Sequence, residues 1–290
     1  MPGFFQKLWD LITAPPVWRF KSDHQVRCKI MLQESSINDL KRLRSLFLKK
    51  NRYANRLFIL EGYLLIKEAM ISGYPLENIF FTQQSIDANH GKELLSLCNN
   101  LNVAVKSIDP KVLHQISDTK NNQGILAICK MRDEAEVFDK RILVLYEISD
   151  PGNMGTLLRT AAWFGIRTVI ISEKSADPYN PKVVRSAMGA HFLLEIKTNV
   201  NTEIFDKLKQ QGYTIAGAVM DGQGMNEPSK SIPEKWALVL GSEAQGFPDS
   251  VHEQFDKSIT IPGYGKIDSL NVAVAGGILL HHFTAKSDID

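Results

Sequence analysis

The sequence predicts an α/β protein with two domains in series, the second built on a parallel β-sheet. Three observations predict it. Short apolar runs alternate with stretches of helical periodicity from residue 36 to the end. The apolar runs after residue 140 are apolar at consecutive positions, as in strands covered by helices on both faces. The chain has 290 residues, 44% of them apolar and 23% charged, enough for about two globular cores.

In the first half, Ile37, Leu40, Leu43, Leu46 and Phe47 recur at helical spacing over 36–49, with Ser36 or Asn38 placed to cap the start. Residues 57–60 read as a buried strand and 63–71 as a helix closed by Gly73. Strands follow at 79–81, 103–105 and 125–129, with helices at 91–100 and 110–116 between them. This alternation predicts a small α/β layer domain over 36–130. Residues 131–140 are polar and charged, as in a linker between domains. The second domain, 141–290, is expected to hold strands at 142–148, 168–171, 192–196, 213–219, 236–240 and 258–261. Its helices are expected at 156–164, 181–188 and 204–211, with a last one capped by Asp268 or Ser269 and reaching about Ala285.

Residues 1–35 are expected to be a loose extension. Phe4, Phe5, Leu8, Trp9, Leu11 and Ile12 would line a short amphipathic helix stopped by Pro15-Pro16. The segment lacks the pattern of a secretory signal, and no run approaches the roughly 18 apolar residues of a membrane span. Three scattered cysteines, Cys28, Cys98 and Cys129, form neither a disulfide framework nor a metal motif, so free thiols in a reducing compartment are expected, Cys98 and Cys129 buried. A cytoplasmic location follows, with a mitochondrial one as the alternative. The net charge of +2 says little, but eleven basic residues lie between Arg19 and Arg56 against Asp23, Glu34 and Asp39. Such a run would hold a polyanion by counterion release; it also fits a solvated helix face.

In a parallel sheet ligands sit beyond the carboxyl ends of the strands, which directs attention to three loops. The first runs from Asp150 through Pro151, Gly152, Asn153 and Gly155 to Arg159. It places Asn153 in a turn and Arg159 on the first or second turn of a helix, whose amino end suits an anion. Arginine offers a planar donor fork for a phosphate or a developing alkoxide. The second loop is Gly241, Ser242, Glu243, Ala244, Gln245 and Gly246. Its two glycines permit backbone to approach a flat ligand, and Glu243 is a charge in a crowded turn. The third runs from Ile261 and Pro262 to Ser269, Leu270 and Asn271 at the start of a helix containing Gly276 and Gly277.

In this order and at strand ends, these loops resemble the three signature motifs of the SpoU (TrmH) RNA methyltransferases, of the SPOUT superfamily. Asn153, Gly155 and Arg159, then Gly241, Ser242, Glu243 and Gly246, then Ile261, Pro262, Ser269, Leu270 and Asn271 carry the resemblance, which spans about 142–283. The segment 177–190 looks like the family's linking segment. Phe58, Glu61, Gly62 and Gln123-Gly124-Ile125 make 36–130 similar to its substrate-binding domain, which resembles a ribosomal protein.

The resemblance implies a deep trefoil knot in the C-terminal domain, a homodimer, and S-adenosylmethionine gripped by Gly241, Gly246, Ile261 and Leu270, with no metal. It implies methyl transfer to a ribose 2′-hydroxyl of RNA. Ribosomal RNA is favoured over transfer RNA because the family's ribosomal enzymes commonly carry an N-terminal domain. Arg159 takes the activating role. A guanidinium is a poor base at neutral pH, so Arg159 is expected to steady the forming alkoxide and orient a phosphate while the proton leaves by a relay. Glu243 would pair with Arg159 or orient the ribose, and Asn153, Ser269 and Asn271 would position the hydroxyl and the loops. A knotted base methyltransferase and a non-catalytic RNA-binding protein are the other readings of the same motifs.

Overall fold

A computed structural model describes residues 32–117, 119, 122–133, 138–225, 232–242, 246–266 and 269–285. The expected helix at 4–12, Cys28, Glu243 and Asp268 lie outside the described residues.

The smaller N-terminal α/β domain holds a five-stranded sheet in the order β1-β4-β3-β5-β2. Its strands are β1 (Gln33–Glu34), β2 (Leu57–Glu61), β3 (Leu76–Phe81), β4 (Ala104–Ser107) and β5 (Ile125–Lys130). β1, β4 and β3 run parallel, whereas β5 is antiparallel to both β3 and β2. The helices are α1 (Ile37–Ser45), α2 (Lys49–Asn55), α3 (Tyr63–Ile71), α4 (Gln83–Asp87), α5 (Asn89–Leu101) and α6 (Pro110–Ile116). One core packs Leu43 and Leu46 against Leu57, Ile59, Phe80, Leu126 and Ile128 of the sheet.

The helix expected over 36–49 ends early, at Ser45, and a second helix not expected from the sequence starts at Lys49. Ser36 caps α1 with a full capping box, its side chain taking the Asp39 N–H while the Asp39 carboxylate takes the Ser36 N–H. The helix stops at Leu46, and α2 begins after an extended Leu48 that offers no side-chain cap. No glycine or proline marks this break.

The second sheet has six strands in the order β11-β9-β10-β6-β7-β8, every pairing parallel. They are β6 (Arg141–Leu145), β7 (Thr168–Ser172), β8 (Glu195–Val200), β9 (Thr214–Gly224), β10 (Trp236–Leu240) and β11 (Lys257–Thr260). Their residues alternate between two cores. Leu143, Leu145, Val169, Ile171, Leu238 and Leu240 face one side; Ile142, Val144, Ile170, Ala237 and Val239 face the other. The first core is covered by α7 (Pro151–Trp163), α8 (Pro181–Ala187) and, after α9 (Glu203–Gln210) and α10 (Asp249–His252), the final α11 (Val272–Ala285). The expected strand at 192–196 is instead a 3-10 turn at Ala190–Phe192 followed by β8. β6 stops at Leu145, short of the expected 148.

Cys98 and Cys129 are buried free thiols as expected, and burial raises both thiols, Cys98 to about 12. The basic run is not one solvated face. Arg52 is buried against Asp177, and Arg42 pairs with Glu77. Four of the eleven, Arg19, Lys21, Arg27 and Lys29, lie outside the described residues. No helix among the described residues is long and apolar enough to cross a membrane.

Candidate active site

The strand order reverses between β6 and β10: the chain steps outward from β6 to β7 and β8, then resumes on the far side with β9 and β10. Ligands of open parallel sheets bind where the order reverses, beyond the carboxyl ends. Leu145 and Leu240 are register partners, so the loops after β6 and β10 leave side by side, and the Tyr146 N–H still donates to the Leu240 carbonyl at 2.9 Å.

After β6 the chain turns sharply. Glu147 takes a left-handed conformation with φ of 52°, its N–H donating to Ser172 Oγ, while the Ile148 N–H donates to Ser175 Oγ. Asp150 then caps α7 by accepting from the Asn153 N–H at 2.8 Å, and Pro151 takes the first helical position, where no N–H is needed. Asn153 therefore sits inside the first helical turn rather than in a loop, and Arg159 falls on the third turn rather than the first or second. Gly155 is required by close packing. A Cβ there would lie 2.4 Å from Ser186 Cβ and 2.8 Å from the Val183 carbonyl oxygen, so α8 lies directly against α7.

In the second loop, Ser242 and Gly246 form an isolated bridge, with the Gly246 N–H donating to the Ser242 carbonyl at 3.1 Å and Gly246 at φ of 63°. The two glycines do different jobs. Gly241 is covered by the Phe247 ring, 2.7 Å from where a Cβ would stand, whereas nothing lies within 4 Å of that position at Gly246. Phe247 in turn stacks edge-on against Phe255 and tilts against Tyr146.

The third loop leaves β11 through a half-buried Ile261 and reaches α11 through exposed Ser269 and Leu270. The cap of α11 is Asn271, not Ser269. Asn271 Oδ1 accepts from the Ala273 N–H at 3.0 Å and the Val274 N–H at 3.3 Å. The same side chain uses its Nδ2 to donate to Asn153 Oδ1 at 3.1 Å. One asparagine thus starts the last helix and ties it to the first loop, across 118 residues of sequence. Gly276 completes the junction: a Cβ there would stand 2.5 Å from Leu157 Cδ2 of α7 and 2.7 Å from Leu240 Cδ1 of β10.

The structure thus unites Asn153 with Asn271, and the tips of β6 and β10. Arg159 stands six residues beyond Asn153, about 9 Å along the helix axis, on the exposed side of α7. From there its charge acts on a residue not expected from the sequence, Glu68 of α3. Partial burial holds the Glu68 carboxyl above its ordinary value, and the Arg159 charge offsets only part of that rise. The Glu68 carboxylate packs against Gly189, 3.1 Å from where a Cβ would be. No local pattern marks Glu68, because it comes from the other domain. Asp177, also unsuspected as a buried partner, does fall within the 177–190 segment that the motifs single out. Among the described residues no cluster of three or more His, Cys, Asp or Glu side chains could hold a metal ion.

The profile of the SpoU rRNA Methylase family matches residues 140–281. A second profile, RNA 2′-O ribose methyltransferase substrate binding, matches residues 59–135. The 23S rRNA (guanosine(2553)-2′-O)-methyltransferase RlmP of Bacillus subtilis (strain 168) is 30% identical over 254 residues, covering 86% of this chain and 96% of that protein. The chain belongs to the SpoU rRNA methylase family. As a member it is an RNA 2′-O-ribose methyltransferase, and the two matched regions fall on the two sheets. Solved structures agree. A putative RNA methyltransferase of the TrmH family from Porphyromonas gingivalis is 34% identical, covers 86% of this chain and 98% of its own, and superposes with a TM-score of 0.72. The SpoU methyltransferase AviRb from Streptomyces viridochromogenes, in complex with AdoMet, shares the fold at 21% identity over 87% of this chain and 98% of its own, with a TM-score of 0.75.

Proposed function

We propose that this protein transfers a methyl group from S-adenosylmethionine to the ribose 2′-hydroxyl of a nucleotide in ribosomal RNA. One observation carries the reading: the Asn271–Asn153 hydrogen bond joins the third family motif to the first, at the edge where the sheet reverses order. A flat nucleoside needs open backbone and apolar walls. The bare faces of Gly246, Gly263 and Gly265, with Ile261 and half-exposed Leu270, fit that need. Gly241, Gly246, Ile261 and Leu270 hold the donor, whose sulfonium supplies an electrophilic methyl.

The protein's own share is alignment and charge. Arg159 steadies the 2′-oxygen as its proton leaves and orients the adjoining phosphate. Asn153 and Asn271 fix the register of α7 against α11, Ser269 positions the hydroxyl, and Glu243 pairs with Arg159 or orients the ribose. The substrate-binding domain is assigned to 36–130 together with β1, which falls in the expected extension but pairs with β4, the linker to 131–140 and the catalytic domain to 141–290, behind an extension that ends before β1. The catalytic domain is assigned a trefoil knot in its C-terminal part. It is also assigned a homodimer, for which Trp163 on α7, 82% exposed, and the exposed Leu270, Val274 and Ile278 at and on α11 supply apolar surface. That much bare apolar surface on neighbouring helices suits a second copy. A cytoplasmic location is assigned, where ribosomal RNA is met.

The test is Arg159→Ala. Calorimetry should show S-adenosylmethionine still bound, while 2′-O-methyl nucleosides recovered from treated ribosomal RNA fall by about a hundredfold or more. Undiminished 2′-O-methylation by that variant, or methyl groups found only on base nitrogens, would overturn the assignment.

A further inference from the structure

Among the described residues, the two domains meet around one buried ion pair. Arg52 of α2 is 2% exposed and the Asp177 side chain, in the loop between β7 and α8, is 6% exposed. Arg52 Nε donates to Asp177 Oδ2 at 2.9 Å, Nη2 donates to the same oxygen, and Nη1 donates to the Leu46 carbonyl at 2.8 Å. The other carboxylate oxygen of Asp177 accepts from Tyr53 Oη and from the Tyr179 N–H, each at 3.0 Å. All three guanidinium nitrogens and both carboxylate oxygens are thus engaged.

A cluster of aromatic rings lies beside the pair, reached through Tyr53 and Tyr179. Phe58 of β2 lies 5.1 Å from Tyr179 and 5.9 Å from His191, Tyr53 meets Tyr179 edge-on, and Tyr74 lies 4.8 Å from Phe192. Arg185 to Glu61, at 3.4 Å, adds a second link at the border. Domains of one chain commonly move relative to each other unless their interface is large and apolar. Here it is apolar and also specific. Rings slide over one another at little cost, but a buried fork and carboxylate are matched in one geometry only, and any other leaves charges desolvated and unpaired.

The clamp reaches the site through short steps. Asp177 stands four residues before Pro181, where α8 begins, and α8 packs at Gly155 on the helix that carries Asn153 and Arg159. The clamped domain also sets Glu68 against Gly189. We propose that Arg52 and Asp177 are positioning residues for methyl transfer. Their pair fastens the substrate-binding domain to the catalytic domain as one rigid body, so that RNA held by the first is presented to the second at one fixed distance. The proposal rests on the methyltransferase reading for its kinetic arm alone.

The test places spin labels at Lys92→Cys and Lys207→Cys, both exposed, in full-length protein carrying Cys28→Ser; Cys98 and Cys129 are buried. The expected result is one narrow interdomain distance, unchanged on adding ribosomal RNA. A broad distribution, or a jump on adding RNA, overturns the proposal without any variant. The neutral pair Arg52→Gln with Asp177→Asn should broaden the distances and lower kcat/KM for RNA by about tenfold to a hundredfold, with affinity for S-adenosylmethionine held within about twofold. A merely structural pair would lower the melting temperature while leaving the distances narrow and kcat/KM unchanged, which refutes the positioning role. Should that pair fail to fold, Tyr53→Phe removes one bond to Asp177 and should shift both readouts the same way by a smaller amount; no shift refutes the role. If the unaltered protein methylates no RNA, the functional reading falls while the distance arm still decides rigidity.

Discussion

Asn271 has two jobs, and two substitutions separate them. Its Oδ1 caps α11 through the Ala273 and Val274 amides, and its Nδ2 bridges to Asn153. Removing a good N-cap costs about 1 kcal/mol. The bridge is near the surface, where water competes, so its loss costs about 0.5 kcal/mol. Asn271→Ala loses both, about 1.5 kcal/mol, which lowers the melting temperature by about 3–6 °C for a domain of this size. Asn271→Ser keeps a cap of equal rank, but its side chain is too short to span the 3.1 Å bond to Asn153, so only about 0.5 kcal/mol and 1–2 °C are lost. Activity should not follow that ranking. Both variants free the first motif from the third, and small misplacement of reacting groups costs about a hundredfold. The assay pairs a thermal melt with transfer of labelled methyl from S-adenosylmethionine to ribosomal RNA. Full turnover by Asn271→Ser would show that the bridge does no positioning. An unchanged melt for Asn271→Ala would show that the cap does not hold the helix.

Two further outcomes follow from packing and burial. Gly155→Ala sets a methyl 2.4 Å from Ser186 Cβ and 2.8 Å from a backbone oxygen, so α7 and α8 must part. The strain of about 1–3 kcal/mol outweighs the helix propensity gained, and urea unfolding should show a net loss of stability. His191 is buried neutral with its imidazole lowered to about 4 by desolvation, whereas the unfolded chain takes up a proton near 6.5. Its contribution is therefore complete above pH 6.5 and is lost as pH falls toward 4, by about 3 kcal/mol at most. Urea midpoints across that window should slope downward in the natural protein and flatten in His191→Gln; equal slopes would contradict the assignment.

Much of the catalytic half is legible in the sequence because a parallel sheet announces itself locally. β10 and α6 occupy the bounds that periodicity predicts, and consecutive apolar positions in β6 and β10 reflect the two cores they face. What periodicity lacks is the choice between near-equivalent polar residues. Ser269 and Asn271 are both good caps two positions apart, and only the amides of Ala273 and Val274 decide for Asn271. The break between α1 and α2 has a tertiary cause. The apolar spacing runs unbroken through Leu46 and Phe47, yet the chain turns there, and Arg52 then reaches back to the Leu46 carbonyl and across to Asp177.

The same contrast separates the residues that carry chemistry from those that set its geometry. All strand ends of a parallel sheet face one edge, so residues that meet a ligand gather in a few loops and leave dense, recognisable patterns. Orientation between domains needs only one well-matched contact, and its two halves are scattered by necessity. Arg52 sits in a helix of basic and polar neighbours and reads as solvated; its partner is 125 residues away. A charge with an apolar surround would betray burial in the sequence, but here the surround is supplied by Phe58, Tyr179 and His191, brought together only by folding. Relatives of the same motif content can therefore differ in how firmly the substrate-binding domain is held, since substitution of Arg52, which lies outside every motif, would be enough to release it.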